Sequence, residues 1–253
     1  MLSTGRLRFV RSLHQKKFRE KEGLFLVEGP KLVHELLQTK AFAVDSIYAT
    51  SNWRLPDGLD PEIVQIVTDE QLGRLSVLDS PNRVLAVCQI PASSGHTKPP
   101  TKGLTLLLDQ ISDPGNLGTI IRTADWFGVS QVFCSPDSAE LFNPKVIQAT
   151  MGSVFRMKVV HTPLIDLLVR NTESTGIPVY AAVLGGENVF QTELKKDAWL
   201  LIGNESRGVT PMLMPFVTRA VTIPSFAEGS AKAESLNVSV ATGILCAEFL
   251  RGR

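Results

Sequence analysis

Two runs of apolar residues, LTLLLD at 104–109 and WLLIGN at 199–204, constrain this chain more than any other feature. A strand with one face in water alternates apolar and polar residues. A run without alternation is buried on both faces, which calls for a parallel sheet with helices above and below it. Helical and strand patterns fill the space around the two runs. The segment 117–127 is helical, QVFCSP (131–136) a strand, and NPKVIQAT (143–150) a helix with Asn143 as cap and Pro144 in its first turn. FRMKVV reads as a strand, PLIDLLVRNTES as a helix, IPVYAAVL as a strand, TPMLMPF as a short helix and RAVTIP (219–224) as a strand, before a final helix at 235–251. This β-α-β alternation predicts a doubly wound parallel sheet, with its ligand crevice beyond the carboxyl ends of the strands.

The residues before 103 follow a different pattern. FLVEG (25–29) reads as a strand running into a Gly29–Pro30 turn, and KLVHELLQT as a helix. SIYAT (46–50), IVQIVT (63–68) and RVLAVCQI (83–90) read as strands, with DEQLGRLS a short helix between the last two. PASSGHTKPPTK, 91–102, has no apolar period and marks a linker. The chain therefore divides into a small α/β domain at 1–90, the linker, and a larger α/β domain at 103–253.

Composition narrows the function. Among 253 residues, 43% are hydrophobic and no stretch approaches the ~18 uninterrupted apolar residues of a membrane span, so a soluble, cytoplasmic protein without a membrane partner is expected. Cys88, Cys134 and Cys246 are far apart in apolar surroundings, and His14, His34, His96 and His161 lack ligand spacing, so no metal is expected. The net charge of +1 conceals a basic start, with Arg6, Arg8, Arg11, Lys16 and Lys17 available to neutralise nucleic-acid phosphates. Leu7, Val10, Leu13 and Phe18 recur at helical spacing, so the same arm also reads as a solvated first helix.

Three loops at the strand ends carry the chemistry. DQISDPGNLGTIIRTADWFG (109–128) places Asn116 to cap a helix, Gly118 for close backbone approach, and Arg122 one turn further on, where it can grip a phosphate or carboxylate through two hydrogen bonds. A capped helix with a surface arginine gives the same pattern. In LLIGNESRGVTP (200–211), Gly203 and Gly208 bracket Asn204, Glu205, Ser206 and Arg207, which fits either a ligand-reading loop or a glycine-rich turn. In IPSFAEGSAKAESLNVSVATGILCAE (223–248), Ser235 can cap the last helix, with Leu236 and Asn237 facing the crevice. Neither GxGxxG nor GxxxxGK[ST] is present, so dinucleotide and P-loop sites drop out.

Taken in order, these loops resemble the three motifs of the SpoU (TrmH-like) branch of the SPOUT RNA methyltransferases. Asn116, Gly118 and Arg122 match N-x-G-x-x-x-R; Gly203, Asn204, Glu205 and Gly208 match the second motif; Ile223, Pro224, Ser235, Leu236 and Asn237 match the third. QATMGSVFRMKV (148–159) is similar to the stretch between motifs, and FLVEGPKLVHELL resembles an L30e-like substrate-binding domain. The resemblance implies a Rossmann-like SPOUT domain with a C-terminal trefoil knot, following the L30e-like domain. It further implies a homodimer through the knot helices, and S-adenosylmethionine held in the knot by Leu184, Gly185, Gly203, Asn204, Ile223 and Leu236.

The implied reaction is methyl transfer to a ribose 2′-hydroxyl of structured RNA, ribosomal rather than transfer RNA. Arg122 is then the pivotal catalytic residue, with Asn116, Glu205, Ser235 and Asn237 orienting it, the ribose and the cofactor. A guanidinium is effectively never neutral in proteins, which favours a phosphate clamp and alkoxide stabiliser over a base. One departure stands out: FAEGSAKAE, within 225–234, lengthens the loop before the third motif and adds Glu228, Lys232 and Glu234. Three other readings stay open at this point: a transfer-RNA enzyme, a non-catalytic ribosome-associated binding protein, and a base methyltransferase.

Overall fold

The computed structural model describes residues 2–78, 80–92, 99–227 and 233–251. In chain order its helices are α1 (Thr4–Ser12), α2 (Lys16–Glu22), α3 (Pro30–Thr39), α4 (Asp69–Leu75), α5 (Pro114–Trp126), α6 (Pro144–Thr150), α7 (Leu164–Arg170) and α8 (Val238–Phe249). Its strands are β1 (Leu24–Glu28), β2 (Val44–Ala49), β3 (Val64–Ile66), β4 (Val84–Gln89), β5 (Leu104–Leu108), β6 (Gln131–Cys134), β7 (Val159–His161), β8 (Val179–Asn188), β9 (Ala198–Ile202) and β10 (Arg219–Thr222). Packing separates two units: Met1–Gly95 with Glu140–Arg156, and His96–Ala139 with Met157–Arg253. Among the described residues no helix is long and apolar enough to cross a membrane.

The first unit is built on a mixed sheet in the order β1-β4-β2-β3, antiparallel except for the β2–β3 pair. Both faces are apolar because successive residues of β1 and β4 alternate sides and are all hydrophobic in their centres. On one face Phe25, Val27 and Ala86 pack with Val33 and Leu36 of α3; on the other, Leu26, Leu85 and Val87 pack with Val10, Leu13 and Leu75. The basic arm is therefore two helices: the chain turns at Leu13, which is fully buried. Arg19 of α2 is buried too, its Nε donating to Glu140 Oε1 at 3.0 Å and its Nη1 to the Leu13 carbonyl at 2.8 Å.

Glu140–Arg156 belongs to this first unit although it lies in the middle of the sequence. Asn143 caps α6, its Oδ1 accepting from the Lys145 amide at 2.9 Å. Ile147, Val154 and Phe155 enter the Phe25 core, where the Phe25 and Phe142 rings stand 4.6 Å apart. This corrects the reading of FRMKVV as a strand. Phe155 sits in a 3₁₀ turn, Ser153–Phe155, held by the apolar core, and only Val159–His161 pairs in a sheet.

The second unit carries six strands in the order β10-β8-β9-β5-β6-β7, every neighbouring pair parallel. Every residue of β5 and β9 is buried, as their uninterrupted apolar runs require. Two helix starts differ from the sequence reading. Asp113 caps α5, its Oδ1 accepting from the Asn116 amide at 2.7 Å, with Pro114 opening the helix, so Asn116 lies in the first turn instead of at the cap. Asn237 caps α8, which begins at Val238 and not at 235.

Candidate active site

The three loops converge at the carboxyl end of the parallel sheet, and their polar side chains form one hydrogen-bonded cluster. Glu205 Oε1 accepts from Asn116 Nδ2 at 3.0 Å, from Asn237 Nδ2 at 2.8 Å and from the Val238 amide at 3.2 Å. Asn237 Nδ2 also donates to Asn116 Oδ1 at 3.0 Å. The Asn237 oxygen faces the other way and takes the Ser239 and Val240 amides at 3.0 and 3.4 Å. A helix start leaves amides without intrahelical partners and favours negative charge; Asn237 and Glu205 supply both acceptors and charge at α8.

The loop after β9 is rigid. Asn204 and Gly208 exchange both backbone hydrogen bonds at 2.9 Å, and Asn204 Oδ1 accepts from the Ser206 and Arg207 amides at 2.9 and 3.2 Å. Asn204 Nδ2 reaches the Gln110 carbonyl at 2.8 Å, so this side chain joins two loops. A Cβ on Gly203 would stand 2.3 Å from the Gly208 carbonyl carbon, a separation no side chain tolerates. Glycine there is a requirement of the crossing backbone.

The remaining expected cofactor residues lie within β8, just after β10 and just before α8. β8 pairs with β10 through Ala181↔Ala220 and resumes at Glu187↔Val221, so the residues between 181 and 187 stand opposite no residue of β10. Leu184 and Gly185 ride on this excursion. The Leu184 side chain is 77% exposed, its carbonyl accepts from Thr222 Oγ1 at 3.2 Å, and nothing lies within 4 Å of the Cβ position at Gly185. Ile223 is half-buried and Leu236 exposed. Open backbone flanked by uncommitted aliphatic side chains suits a ligand with a flat base and a thioether-like chain, so these residues fit S-adenosylmethionine.

Arg122 is exposed on α5 and makes no hydrogen bond or ion pair with any described residue. Asn116, Glu205 and Asn237, expected to orient it, bond to one another and not directly to the guanidinium. Ser235 is also exposed, caps nothing, and makes no hydrogen bond with a described residue, because Asn237 has taken the cap. Of the lengthened loop, Glu234 is exposed, while Glu228 and Lys232 lie outside the described residues, as does His96.

The basic arm is only partly available for RNA. Arg6 is committed inside its own unit, with Nε donating to Tyr48 Oη at 2.5 Å and Nη2 to Asp45 Oδ2 and Ser46 Oγ at 3.0 Å each. Arg8, Arg11, Lys16 and Lys17 are exposed, Lys16 pairing with Glu20 at 3.6 Å and Lys17 resting 4.8 Å over the Phe18 ring. No group of acidic, cysteine or histidine side chains among the described residues could hold a metal.

Sequence reasoning missed the support beneath the site. Gln110 adopts a left-handed backbone, φ 57°, and its amide donates to Ser135 Oγ at 2.8 Å. The Ile111 amide donates to Ser138 Oγ at 3.2 Å, and Asp109 Oδ2 takes the Thr210 amide at 2.7 Å. Asp113–Pro114 was the legible signal for the α5 start, since Asp at a cap followed by Pro pre-sets a helix.

Comparison with known proteins agrees with this geometry. Residues 103–247 match the SpoU rRNA Methylase family and residues 5–86 the MRM3-like substrate binding domain. The Bacillus subtilis 23S rRNA (guanosine(2553)-2′-O)-methyltransferase RlmP is 33% identical over 93% of this chain and 92% of that protein. A TrmH-family structure from Porphyromonas gingivalis superposes with a TM-score of 0.86 at 37% identity, covering 99% of both chains. The SpoU methyltransferase AviRb from Streptomyces viridochromogenes, solved with AdoMet, gives a TM-score of 0.83 at 25% identity over 98% of each chain. With both units matched and the motif residues joined in one cluster, the chain belongs to the SpoU rRNA methylase family.

Proposed function

We propose that this protein methylates a ribose 2′-hydroxyl of ribosomal RNA in the cytoplasm, using S-adenosylmethionine and acting as a homodimer through α5 and α8. The observation that carries the reading is the Asn116–Glu205–Asn237 cluster beside an uncommitted Arg122. The ribosomal substrate is supported by RlmP, which matches nearly this whole chain and is named for ribose methylation of 23S rRNA. The trefoil knot implied by the motifs is supported by the close approach of the β8 backbone at Gly186 to Ala220 and Val221 of β10, and by the β8–β10 pairing.

Bound S-adenosylmethionine supplies a sulfonium-activated methyl group. Leu184, Ile223 and Leu236 provide apolar walls for it, and the open backbone at Gly185 allows close approach. Arg122 grips the phosphate beside the target ribose with its two-pronged donor face and stabilises negative charge on the 2′-oxygen as that oxygen takes the methyl group and its proton passes to solvent water. Asn116, Glu205 and Asn237 act on position: their mutual bonds fix α5, which carries Arg122, against the start of α8. Holding ribose and cofactor in line lowers the barrier by avoiding reorganisation. Arg8, Arg11, Lys16 and Lys17 add phosphate contacts, and Ser235 contributes a hydrogen bond.

Nucleoside analysis of ribosomal RNA from cells with and without the gene tests the reading. Loss of one 2′-O-methyl nucleoside, restored by the wild-type gene, is expected. Loss of a base-methylated nucleoside, or an unchanged spectrum, contradicts it.

A further inference from the structure

Five buried side-chain atoms among the described residues lack a hydrogen-bond partner, and three of them share one place in the fold. They are Thr105 Oγ1, Gln131 Nε2 and Trp199 Nε1. Thr105 of β5 pairs with Gln131 of β6 on one side and with Trp199 of β9 on the other. Neighbours paired across a parallel sheet project from the same face, so the three side chains form one row across its central strands. The row lies at the amino end of the sheet, away from the motif loops. Its face is the one on which Leu107, Phe133 and Leu201 pack, because these residues follow two positions later on the same three strands.

Thr105 is fully buried, Trp199 is 1% exposed and Gln131 2%. Leaving three such groups unpaired is costly, and neighbouring strands stand only ~4.8 Å apart, so one small molecule can reach all three. The donor count identifies it. The indole N–H and the amide N–H can only donate, whereas a threonine hydroxyl both donates and accepts. The row therefore needs a partner that accepts twice and can also either donate to the hydroxyl or accept from it. Water does this, and buried waters bind with two to four such bonds.

We infer that the Trp199–Thr105–Gln131 row is a buried water-binding site. The water accepts from Trp199 Nε1 and Gln131 Nε2 and donates to Thr105 Oγ1, tying β9, β5 and β6 together beneath the strands that carry the first and second motifs.

A high-resolution crystal structure of the full chain tests this together with two substitutions. A solvent peak within hydrogen-bond distance of all three atoms is expected. Thr105→Val keeps the side chain's shape and removes the hydroxyl, so the melting temperature should fall by roughly 2–4 °C, with Thr105→Ser losing less. A dry row, a direct Trp199–Thr105 hydrogen bond, or a Thr105→Val protein as stable as wild type overturns the inference. Should Thr105→Val fail to fold, the indole N–H of Trp199 keeps it open to refutation. Assigned through Trp199→Phe, that resonance should show magnetisation transfer from a long-lived water, and its absence contradicts the site.

Discussion

Glu205 Oε1 lies 2.8 Å from Asn237 Nδ2, joining the loop after β9 to the residue that caps α8. The same oxygen takes Asn116 from α5, so one carboxylate atom gathers all three motifs. This relationship assigns Glu205 to holding the site's shape. Glu205→Ala should lower methyl transfer by about 10–100-fold, as expected for losing charge-assisted hydrogen bonds worth ~1.5–3 kcal/mol. Glu205→Gln keeps an acceptor oxygen and should lose less. Single-turnover methylation together with thermal melting checks both, since Ala should also lower the melting temperature.

Arg122 gives the opposite pattern. It is exposed and makes no bond with a described residue, so Arg122→Ala should leave the melting temperature and S-adenosylmethionine affinity unchanged. Transfer should drop by about 100–1000-fold, the scale for removing one donor to a developing oxyanion. Arg122→Lys, which keeps charge without the fork, should fall between the two. Calorimetric cofactor titration beside the rate measurement separates the effects.

Arg19 and Glu140 form a buried, two-pronged ion pair inside the first unit. Removing one partner strands the other, so Arg19→Ala should cost about 3–5 kcal/mol in urea unfolding. Replacing both by apolar residues, Arg19→Met with Glu140→Leu, should recover most of it.

The three cysteines set an alkaline limit. Burial pushes the thiols of Cys134 and Cys246 up to about 12 and raises that of Cys88 further. They stay protonated in the folded chain, whereas an unfolded thiol ionises near ~8.5. Their contribution to stability is complete below the unfolded value and is lost as pH rises from there toward the folded one. Native protein should resist a thiol reagent at pH 8 and react at all three positions in urea. Unfolding midpoints should decline above pH 9.

Trp126 is 85% exposed at the end of α5, and Val240 is 52% exposed on α8. If these helices form the proposed dimer, Trp126→Glu should sediment as a monomer at concentrations where wild type is a dimer.

Much of this architecture was legible in the sequence for a physical reason. LTLLL and WLLI have no polar residue to place in water beyond a single threonine, so β5 and β9 had to be central and parallel. Asn116 and Glu205 could be picked out because their loops follow such strands, and Asn237 because it completes the ordered set of motifs. Their partners could not, because Asn116 to Asn237 is a contact across 121 positions that local pattern does not encode. The same limit hid the true cap of α8. Ser235 and Asn237 are both good caps, and the choice rests on Glu205 already occupying the Val238 amide. Phe155 misled for a related reason: its β-like neighbourhood is overridden by a core built mostly of residues far earlier in the chain, from Phe25 to Cys88. Arg6 likewise reads as a free cation until Tyr48 and Asp45 are placed beside it.

In the proposed mechanism a cluster formed by Asn116, Glu205 and Asn237 presents Arg122 to an RNA ribose. The most direct test is transfer of a labelled methyl group from S-adenosylmethionine to ribosomal RNA lacking the modification, with wild type and Arg122→Ala side by side. A labelled 2′-O-methyl nucleoside formed by wild type, and nearly abolished in a variant that still folds and binds cofactor, is the predicted result. Equal transfer by both proteins, or label found on a base, would contradict the account.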